Sequence, residues 1–401
     1  MKAIATILLG ILAMATTAPA RAQISDDVVR LGVLTDMSGP FSDAAGKGSL
    51  AAVEMAVADY SGTVKGKPIR VIAADHQNKV ETAAEIVKTW YGREQVDAVL
   101  DVPGSAIALA VQALTRGTTK TLIVSGIDSV DFTGKGCSPN GLQWSSDAAA
   151  LATAAGRALV QTGDGSWFFV TADTALGTAQ EEAAEAAVRT YGGEVVGAVR
   201  HPPGASDFAP LLRQAEASNA RVVALANADG DTLAAIRRAA EFGLGRGGQK
   251  LAALSMQITD AHALGLKDGR CVIVADGFYW DLNDGSRAFA KTFFDKTGRM
   301  PTTIQAGLYS ATLHYLKAID QSGTDDAGQV IAQMKATPVS AFVARNGKVR
   351  DDGRMVHDLH LFEMKAPEDS KGEWDLYKHL ATVPGDARIY PGHGPWEVPL
   401  A

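Results

Sequence analysis

The sequence is poor in the residues on which several protein classes depend. Its 401 residues include only two cysteines, Cys137 and Cys271, so even in an oxidising compartment the fold is not a disulfide scaffold. A net charge of -7 without a basic tract argues against nucleic acid or an anionic membrane surface as the partner. The composition therefore predicts a freely soluble protein.

Motifs for catalysis and for metal binding are also missing. There is no Gly-x-Ser-x-Gly elbow, and Ser105, the nearest approach to a nucleophile, has no paired His and Asp in view. His357 and His360 lie in a strand-like segment, where residues three apart face opposite sides. The glycine-rich run 243–248 follows a helix, whereas a dinucleotide-binding loop follows a strand. We therefore predict no catalytic residue, no metal and no cofactor, and a protein that is not an enzyme.

A long apolar run occurs only at the N-terminus. Lys2 is followed by small and apolar residues from 3 to 15 and by Ala20-Arg21-Ala22, which is typical of a secretory signal peptide cleaved after Ala22. A membrane anchor would need about 20 apolar residues, and this run is interrupted too early. Residues 1–22 are therefore predicted to be removed on export. Residues 23–401 are more than one hydrophobic core usually serves, which favours two lobes.

Short apolar segments alternate with longer amphipathic segments from 28 to 125 and again from 167 to 275. This alternation is typical of parallel sheets covered by helices. Segments 288–297 and 303–322 are helical without strands of their own, so they should return to the first lobe. The sequence thus predicts an α/β fold with two Rossmann-like lobes joined by a hinge that the chain crosses three times, near Ser146, Asp281 and Val349.

This pattern divides the chain into two discontinuous lobes. We predict that the first lobe contains residues 23–147 and 282–348, and that the second contains residues 148–281 and 349–401. Such a topology makes a hinged cleft, and closure of a hinged cleft around a ligand is a known device of binding proteins. The two cysteines fall in different lobes and are expected to be unpaired.

An ordered set of segments resembles the Leu/Ile/Val-binding type of periplasmic receptor, a type I periplasmic binding protein. The segments are Leu31-Gly32-Val33-Leu34-Thr35-Asp36-Met37-Ser38-Gly39-Pro40, Gly46, Asp75, 101–105, 125–129, 132–136 and Asp207-Phe208. The resemblance covers nearly the whole mature chain. It implies the periplasmic component of an ABC importer, acting as a monomer that delivers a small-molecule ligand to a membrane permease. A ligand sensor of the same fold is the alternative, and the lack of a fused output domain favours transport.

In the first lobe of that family, hydroxyl and backbone N–H groups of two loops hold a ligand carboxylate. The positions that match here are Gly104, Ser105, Gly126, Asp128 and Ser129. The chemistry agrees with general expectation, because loops at the carboxyl ends of parallel strands bind ligands and helix N-termini favour anions. Asp128 departs from this scheme, since it would repel a carboxylate unless it is turned away or caps residues 130–132.

In the second lobe of the family, an aromatic residue and an acidic anchor for an ammonium group contact the ligand. Here Leu176 replaces the aromatic residue and Gln257 replaces the acid, with Asn227 and Asp229 in the loop between them. A glutamine amide carries no charge to balance a cation, so the predicted ligand is a small oxo, hydroxy or aromatic carboxylate. A branched-chain amino acid is the alternative, because a small shift of the alignment would make Asp229 the ammonium partner.

An aromatic cluster, Gly277-Phe278-Tyr279-Trp280-Asp281, falls at a predicted crossing between the lobes. We expect Tyr279 and Trp280 to lie at the hinge and at least one of them to form a wall of the ligand pocket. Ordinary core packing is the alternative for both.

Overall fold

A computed structural model describes residues 23–244, 248–385 and 389. The predicted signal peptide and its cleavage site after Ala22 lie outside the described residues. Two large sheets, each covered by helices, form the two lobes of an α/β protein, as the sequence predicts. Across the described ranges, no helix is both long and apolar enough to cross a membrane.

The first lobe begins with one series of strands and helices. Its elements are β1 (Val29–Thr35), α1 (Gly46–Asp59), β2 (Thr63–Val64), β3 (Lys67–Asp75), α2 (Val80–Thr89), β4 (Ala98–Asp101), α3 (Ser105–Thr115), β5 (Thr121–Val124) and β6 (Gly141–Gln143). The spatial order of the strands is β2-β3-β1-β4-β5-β6. All pairs are parallel except β2 with β3. Strands β1, β4 and β5 are almost completely buried, which explains their nearly continuous apolar sequences.

The second lobe repeats this arrangement. Its elements are α4 (Ala148–Gln161), β7 (Ser166–Ala172), α5 (Ala175–Thr190), β8 (Glu194–His201), α6 (Ala209–Ala217), β9 (Val222–Ala226), α7 (Asp229–Phe242), β10 (Lys250–Ala253), α8 (Ile258–Leu264), α9 (Leu266–Gly269) and β11 (Val272–Asp276). Strands β7 to β11 are parallel, in the order β11-β10-β9-β7-β8. The carboxyl ends of these strands therefore share one edge of the sheet.

The chain then returns to the first lobe. The returning elements are α10 (Asp284–Thr297), α11 (Thr303–Ser322), α12 (Ala327–Ala336), β12 (Val339–Ala341), β13 (Ala344–Val349) and β14 (Met355–Val356). Leu308 and Tyr315 of α11 share a buried core with Val29 and Leu31 of β1. The returning helices therefore complete the first lobe. The sequence predicts this position, because these helical segments are not accompanied by strands of their own.

The third crossing lies later than the predicted boundary at 348/349. Val349 and Met355 pair in the hairpin of β13 and β14, and both are buried in the core of the first lobe. Leu359 and Leu361, in contrast, pack in the second lobe. Because the two strands of the hairpin must stay together, the chain leaves the first lobe only at residues 356–359.

The last described elements extend the sheet of the second lobe. Strands β15 (Leu359–Met364) and β16 (Tyr377–Val383) add antiparallel to β11, in the order β16-β15-β11. Only the first of them was expected from the sequence. Cys137 and Cys271 are both free thiols. The N–H of Cys271 donates to the carbonyl oxygen of Met364 in β15 (3.0 Å).

Candidate functional site

A cavity of about 410 Å³ lies between the lobes. The residues that line it are Pro40, Phe41, Asp43, Ala44, Ser125, Gly126, Ile127, Asp128, Ser145, Ser146, Leu151, Leu176, Ala228, Asp229, Leu233, Ser255, Gln257, Thr259, Asp260, Ala263, Asp276, Thr303 and Ile304. Most of these residues follow the carboxyl ends of β1, β5, β7, β9, β10 and β11. The cavity therefore occupies the place where open parallel sheets bind ligands.

The loop after β1 is shaped by a buried carboxylate. Asp36 is fully buried and accepts N–H bonds from Gly39 (2.7 Å) and Phe41 (3.1 Å). A Cβ on Gly39 would lie 2.5 Å from an oxygen of Asp36, so glycine is required at this close approach. This turn brings Phe41 to the cavity. Sequence reasoning did not single out Phe41, although the preceding Ser38-Gly39-Pro40 is itself a turn signal.

The predicted contact residues of the first lobe fall into two layers. Gly126 and Asp128 line the cavity, whereas Gly104, Ser105 and Ser129 do not. The N–H of Gly104 bonds to the carbonyl of Gly126 (3.2 Å), and the N–H of Ser129 bonds to Oγ of Ser105 (3.2 Å). These three residues thus fasten the two loops to each other behind the cavity wall.

The predicted contact residues of the second lobe divide in the same way. Leu176, Asp229 and Gln257 line the cavity, whereas Asn227 does not. Asn227 is buried, and its Oδ1 accepts a hydrogen bond from the hydroxyl of Thr232 (2.7 Å). Its amide therefore stabilises the first turn of α7.

Tyr279 and Trp280, which the sequence predicts at the wall of the ligand pocket, are not among the residues that line this cavity. Tyr279 is buried in the core of the second lobe, where its hydroxyl donates to the carbonyl of Trp374 (3.2 Å) and accepts the N–H of Leu376 (3.1 Å). The indole N–H of Trp280 donates to the same carbonyl (2.8 Å). Both aromatic residues therefore form hydrogen bonds with the segment before β16. The sequence does not predict that this segment lies here.

Sequence reasoning missed several polar residues of the cavity. They are Asp43, Ser145, Ser146, Ser255, Thr259, Asp260, Asp276 and Thr303. Asp276 could have been found, because it stands at the carboxyl end of a predicted strand. Thr303 could not have been found in this way, because it begins α11, which belongs to the first lobe. Only the folded structure brings Thr303 against β11 of the second lobe.

The cavity is strongly acidic. Among the described residues, five carboxylates line it: Asp43, Asp128, Asp229, Asp260 and Asp276. No lysine, arginine or histidine from the same part of the chain is found in the lining. Asp43 forms an ion pair with Arg299 (2.7 Å), so four carboxylates of the described lining remain without a cationic partner.

Burial raises the pKa values of four of these carboxyls, Asp229 among them. The pKa of Asp128 rises to about 6 through burial and through the negative charges of Asp229 and Asp147. The pKa of Asp260 also rises to about 6 through burial, although the N–H of Gln257 opposes the shift. Burial raises the pKa of Asp276 to about 7. Loss of water disfavours the ionised form in each case.

The first and third crossings are joined beside the cavity. Arg354 is buried and forms an ion pair with Asp147, which also caps α4 through the N–H of Ala150 (2.8 Å). Oγ of Ser146 lies 3.4 Å from Nε2 of His357. These contacts join the first and third crossing segments to each other.

Fold and cavity together are typical of one class of protein: two-lobed α/β binding proteins with a cavity between the lobes. Residues 28–373 match the family model described as periplasmic binding protein. The chain therefore belongs to the periplasmic binding protein family, and the resemblance to its Leu/Ile/Val-binding type is confirmed.

Solved structures and a curated relative agree with this assignment. A periplasmic binding protein from Burkholderia mallei is 43% identical, with a TM-score of 0.80, over 90% of this chain and 96% of that one. A branched chain amino acid ABC transporter periplasmic ligand-binding protein from Burkholderia xenovorans is 36% identical, with a TM-score of 0.88, over 90% and 97%. The Leu/Ile/Val-binding protein homolog 6 of Brucella suis is 28% identical over 66% of this chain and 67% of that protein.

Proposed function

We propose that this protein is the solute-binding component of an ABC importer, which captures a small organic solute between its lobes and presents the closed form to a membrane permease. The observation that carries the proposal is the cavity itself, which is formed by strand-end loops of both sheets. A ligand that contacts both lobes binds the closed form better than the open form, so it shifts the equilibrium toward closure. The ABC transporter protein of Burkholderia xenovorans supports this role.

The acidic lining bears on the class of solute. The sequence favours a small carboxylate without an ammonium group, and serine and threonine hydroxyls in the cavity could hold such an anion. However, two like charges 4 Å apart repel by about 4 kcal/mol at an effective dielectric constant of about 20, and this cavity holds several carboxylates. A purely anionic ligand is therefore disfavoured. The branched-chain amino acid fits better, because Asp229 lines the cavity and could contact its ammonium group.

Ligand-induced closure is the direct test of this function. The mature chain is screened against amino acids, amines, oxo acids and aromatic acids. Compounds of one of these classes should raise its melting temperature, because a ligand that binds only the native state stabilises that state. The same compound should reduce the radius of gyration measured by small-angle X-ray scattering.

A pair of variants shows whether the cavity is the site. Leu176→Trp fills the cavity and should abolish both responses, whereas Val196→Trp, at an exposed position of the same lobe, should preserve them. A compound that binds the Leu176→Trp variant as tightly as the parent would move the site elsewhere. Binding without any change in the radius of gyration would contradict closure.

A further inference from the structure

We propose that the ligand of this cavity is a small organic cation, an aliphatic amine. Its ammonium group is held between Asp128 of the first lobe and Asp229 of the second. The proposal rests on the function proposed above, because it names the ligand class of the same cavity. It reverses the polarity expected from the sequence, in which the loop of Asp128 would hold a carboxylate.

The two carboxylates approach the cavity from opposite sides. Asp128 lies in the loop after β5, and Asp229 begins α7 after β9; both line the cavity. The negative charge of Asp229 contributes, after burial, to the raised pKa of Asp128, so the two groups interact across the cleft. In the described part of the chain, neither carboxylate has a hydrogen-bond or ion-pair partner.

Two other shielded carboxylates of the chain have cationic partners. Asp97 pairs with Lys120 (2.9 Å), and Asp164 pairs with Lys250 (2.6 Å). An ionised carboxylate that loses its water needs such a partner, because an uncompensated buried charge is costly. Closure of the lobes would remove water from Asp128 and Asp229 as well. Since no side chain of the described lining provides the balancing charge, we assign that charge to the ligand.

An unpartnered hydroxyl points independently to a polar ligand, because a hydroxyl can both donate and accept a hydrogen bond. Thr259 lines the cavity and is 7% exposed, yet its hydroxyl has no hydrogen-bond partner among the described residues. A primary ammonium offers three N–H donors, which suits two carboxylates and one hydroxyl. Phe41 is the one aromatic residue in the described lining, so the aromatic cage that favours quaternary ammonium ions is not built.

A metal ion does not explain these carboxylates. Over the described ranges, no group of three or more His, Cys, Asp and Glu residues is placed to hold a metal. An organic cation requires no such convergence, because it can bridge carboxylates across the width of a cavity of about 410 Å³. We infer that repulsion between Asp128 and Asp229 opposes closure until the ammonium group lies between them.

Titration calorimetry at pH 7.5 on the mature chain tests the ligand class. The probes are 1,4-diaminobutane and 4-aminobutan-1-ol as amines, leucine as a zwitterion, and 4-methyl-2-oxopentanoate as an anion. The amines should bind more tightly than leucine, and the oxo acid should bind weakest. Tighter binding of leucine or of the oxo acid would overturn the proposal. Magnesium chloride should give no heat of binding, and tight binding of Mg²⁺ would also overturn it.

Variants test the two residues. Asp128→Asn and Asp229→Asn should each weaken amine binding at least about tenfold, whereas Asp295→Asn, an exposed carboxylate of α10, should not. Without ligand, the double Asn variant should have a smaller radius of gyration than the parent. Unchanged amine affinity and an unchanged radius would refute the role of both residues. If another probe class binds and closes the lobes, only the cation proposal fails; if no probe of any class closes them, the proposed function fails too.

Discussion

At the scale of single residues, Asp276 shows how the cavity shifts the chemistry of a side chain. It ends β11, is 3% exposed, and accepts the N–H of Gly277 (2.6 Å) and the hydroxyl of Thr303. Burial nevertheless raises its pKa to about 7, because these contacts do not replace the lost water. A carboxyl group at the base of the cavity is therefore partly protonated near neutral pH.

This raised pKa predicts a pH-dependent effect of Asp276→Asn. The folded pKa of about 7 exceeds the unfolded value of about 3.9, so the folded protein binds the extra proton between these pH values. Stability from this group is present at low pH and is lost as the pH rises through the folded pKa. Asp276→Asn removes this loss, so the variant should melt about 4 to 8 °C above the parent at pH 8, with the difference shrinking toward pH 5.

Differential scanning fluorimetry from pH 5 to pH 8 measures this difference. Asp295→Asn, at an exposed position of α10, is the control variant. A difference between Asp276→Asn and the parent that is constant across the range would show that Asp276 ionises normally.

At the scale of elements, the start of α5 is packed directly on the ends of two strands. A Cβ on Gly177 would lie 2.3 Å from the carbonyl oxygen of Ala172 in β7 and 2.8 Å from that of Ala226 in β9. Both neighbours are backbone atoms of buried strands, so they cannot move without disturbing the sheet. Glycine at this position lets α5 approach closely enough for Leu176 to line the cavity.

Gly177→Ala should therefore destabilise the second lobe. Overpacking of a core usually costs about 1 to 3 kcal/mol, and the cost should fall at or above this range because backbone atoms oppose the new methyl group. Gly92→Ala is the matched control, since a Cβ there meets nothing within 4 Å. Urea denaturation of both variants gives the two free energies of unfolding. Equal stabilities would contradict the close approach of α5 to β7 and β9.

At the scale of the whole molecule, the second lobe is completed by segments distant in the chain. Strand β15 pairs with β11 after the chain has passed through the first lobe, and the Arg354–Asp147 ion pair connects segments 207 residues apart. A buried ion pair therefore joins the first and third crossings to each other.

The predicted route of the whole molecule to its compartment can also be tested. With its leader, in a Gram-negative host, the protein should be recovered from the periplasm with Gln23 as its first residue, as intact mass spectrometry would show. Ala20 and Ala22 supply the small residues of the cleavage site, so Ala22→Leu should retain the uncleaved precursor, whereas Thr16→Ala should not. A parent protein that begins at Met1 in the periplasm would refute cleavage.

The sequence by itself determined the lobes and the general position of the site. Alternation of apolar strands and amphipathic helices is a local property, and chain connectivity then places the strand-end loops along one edge of each sheet. The family resemblance then indicated Gly126, Asp128, Leu176, Asp229 and Gln257 within those loops, and all of them line the cavity.

Only the tertiary structure decided which side chains of those loops reach the cavity and what charge they share. Ser105 and Ser129 bond to neighbouring loop atoms instead, and Tyr279 finds its partners about 95 residues further along the chain. The acidic character of the cavity comes from carboxylates on five separate segments of the chain, brought together by the two lobes. Local patterns cannot encode such a juxtaposition, because it depends on contacts between residues that are distant in sequence and on the water that those contacts exclude.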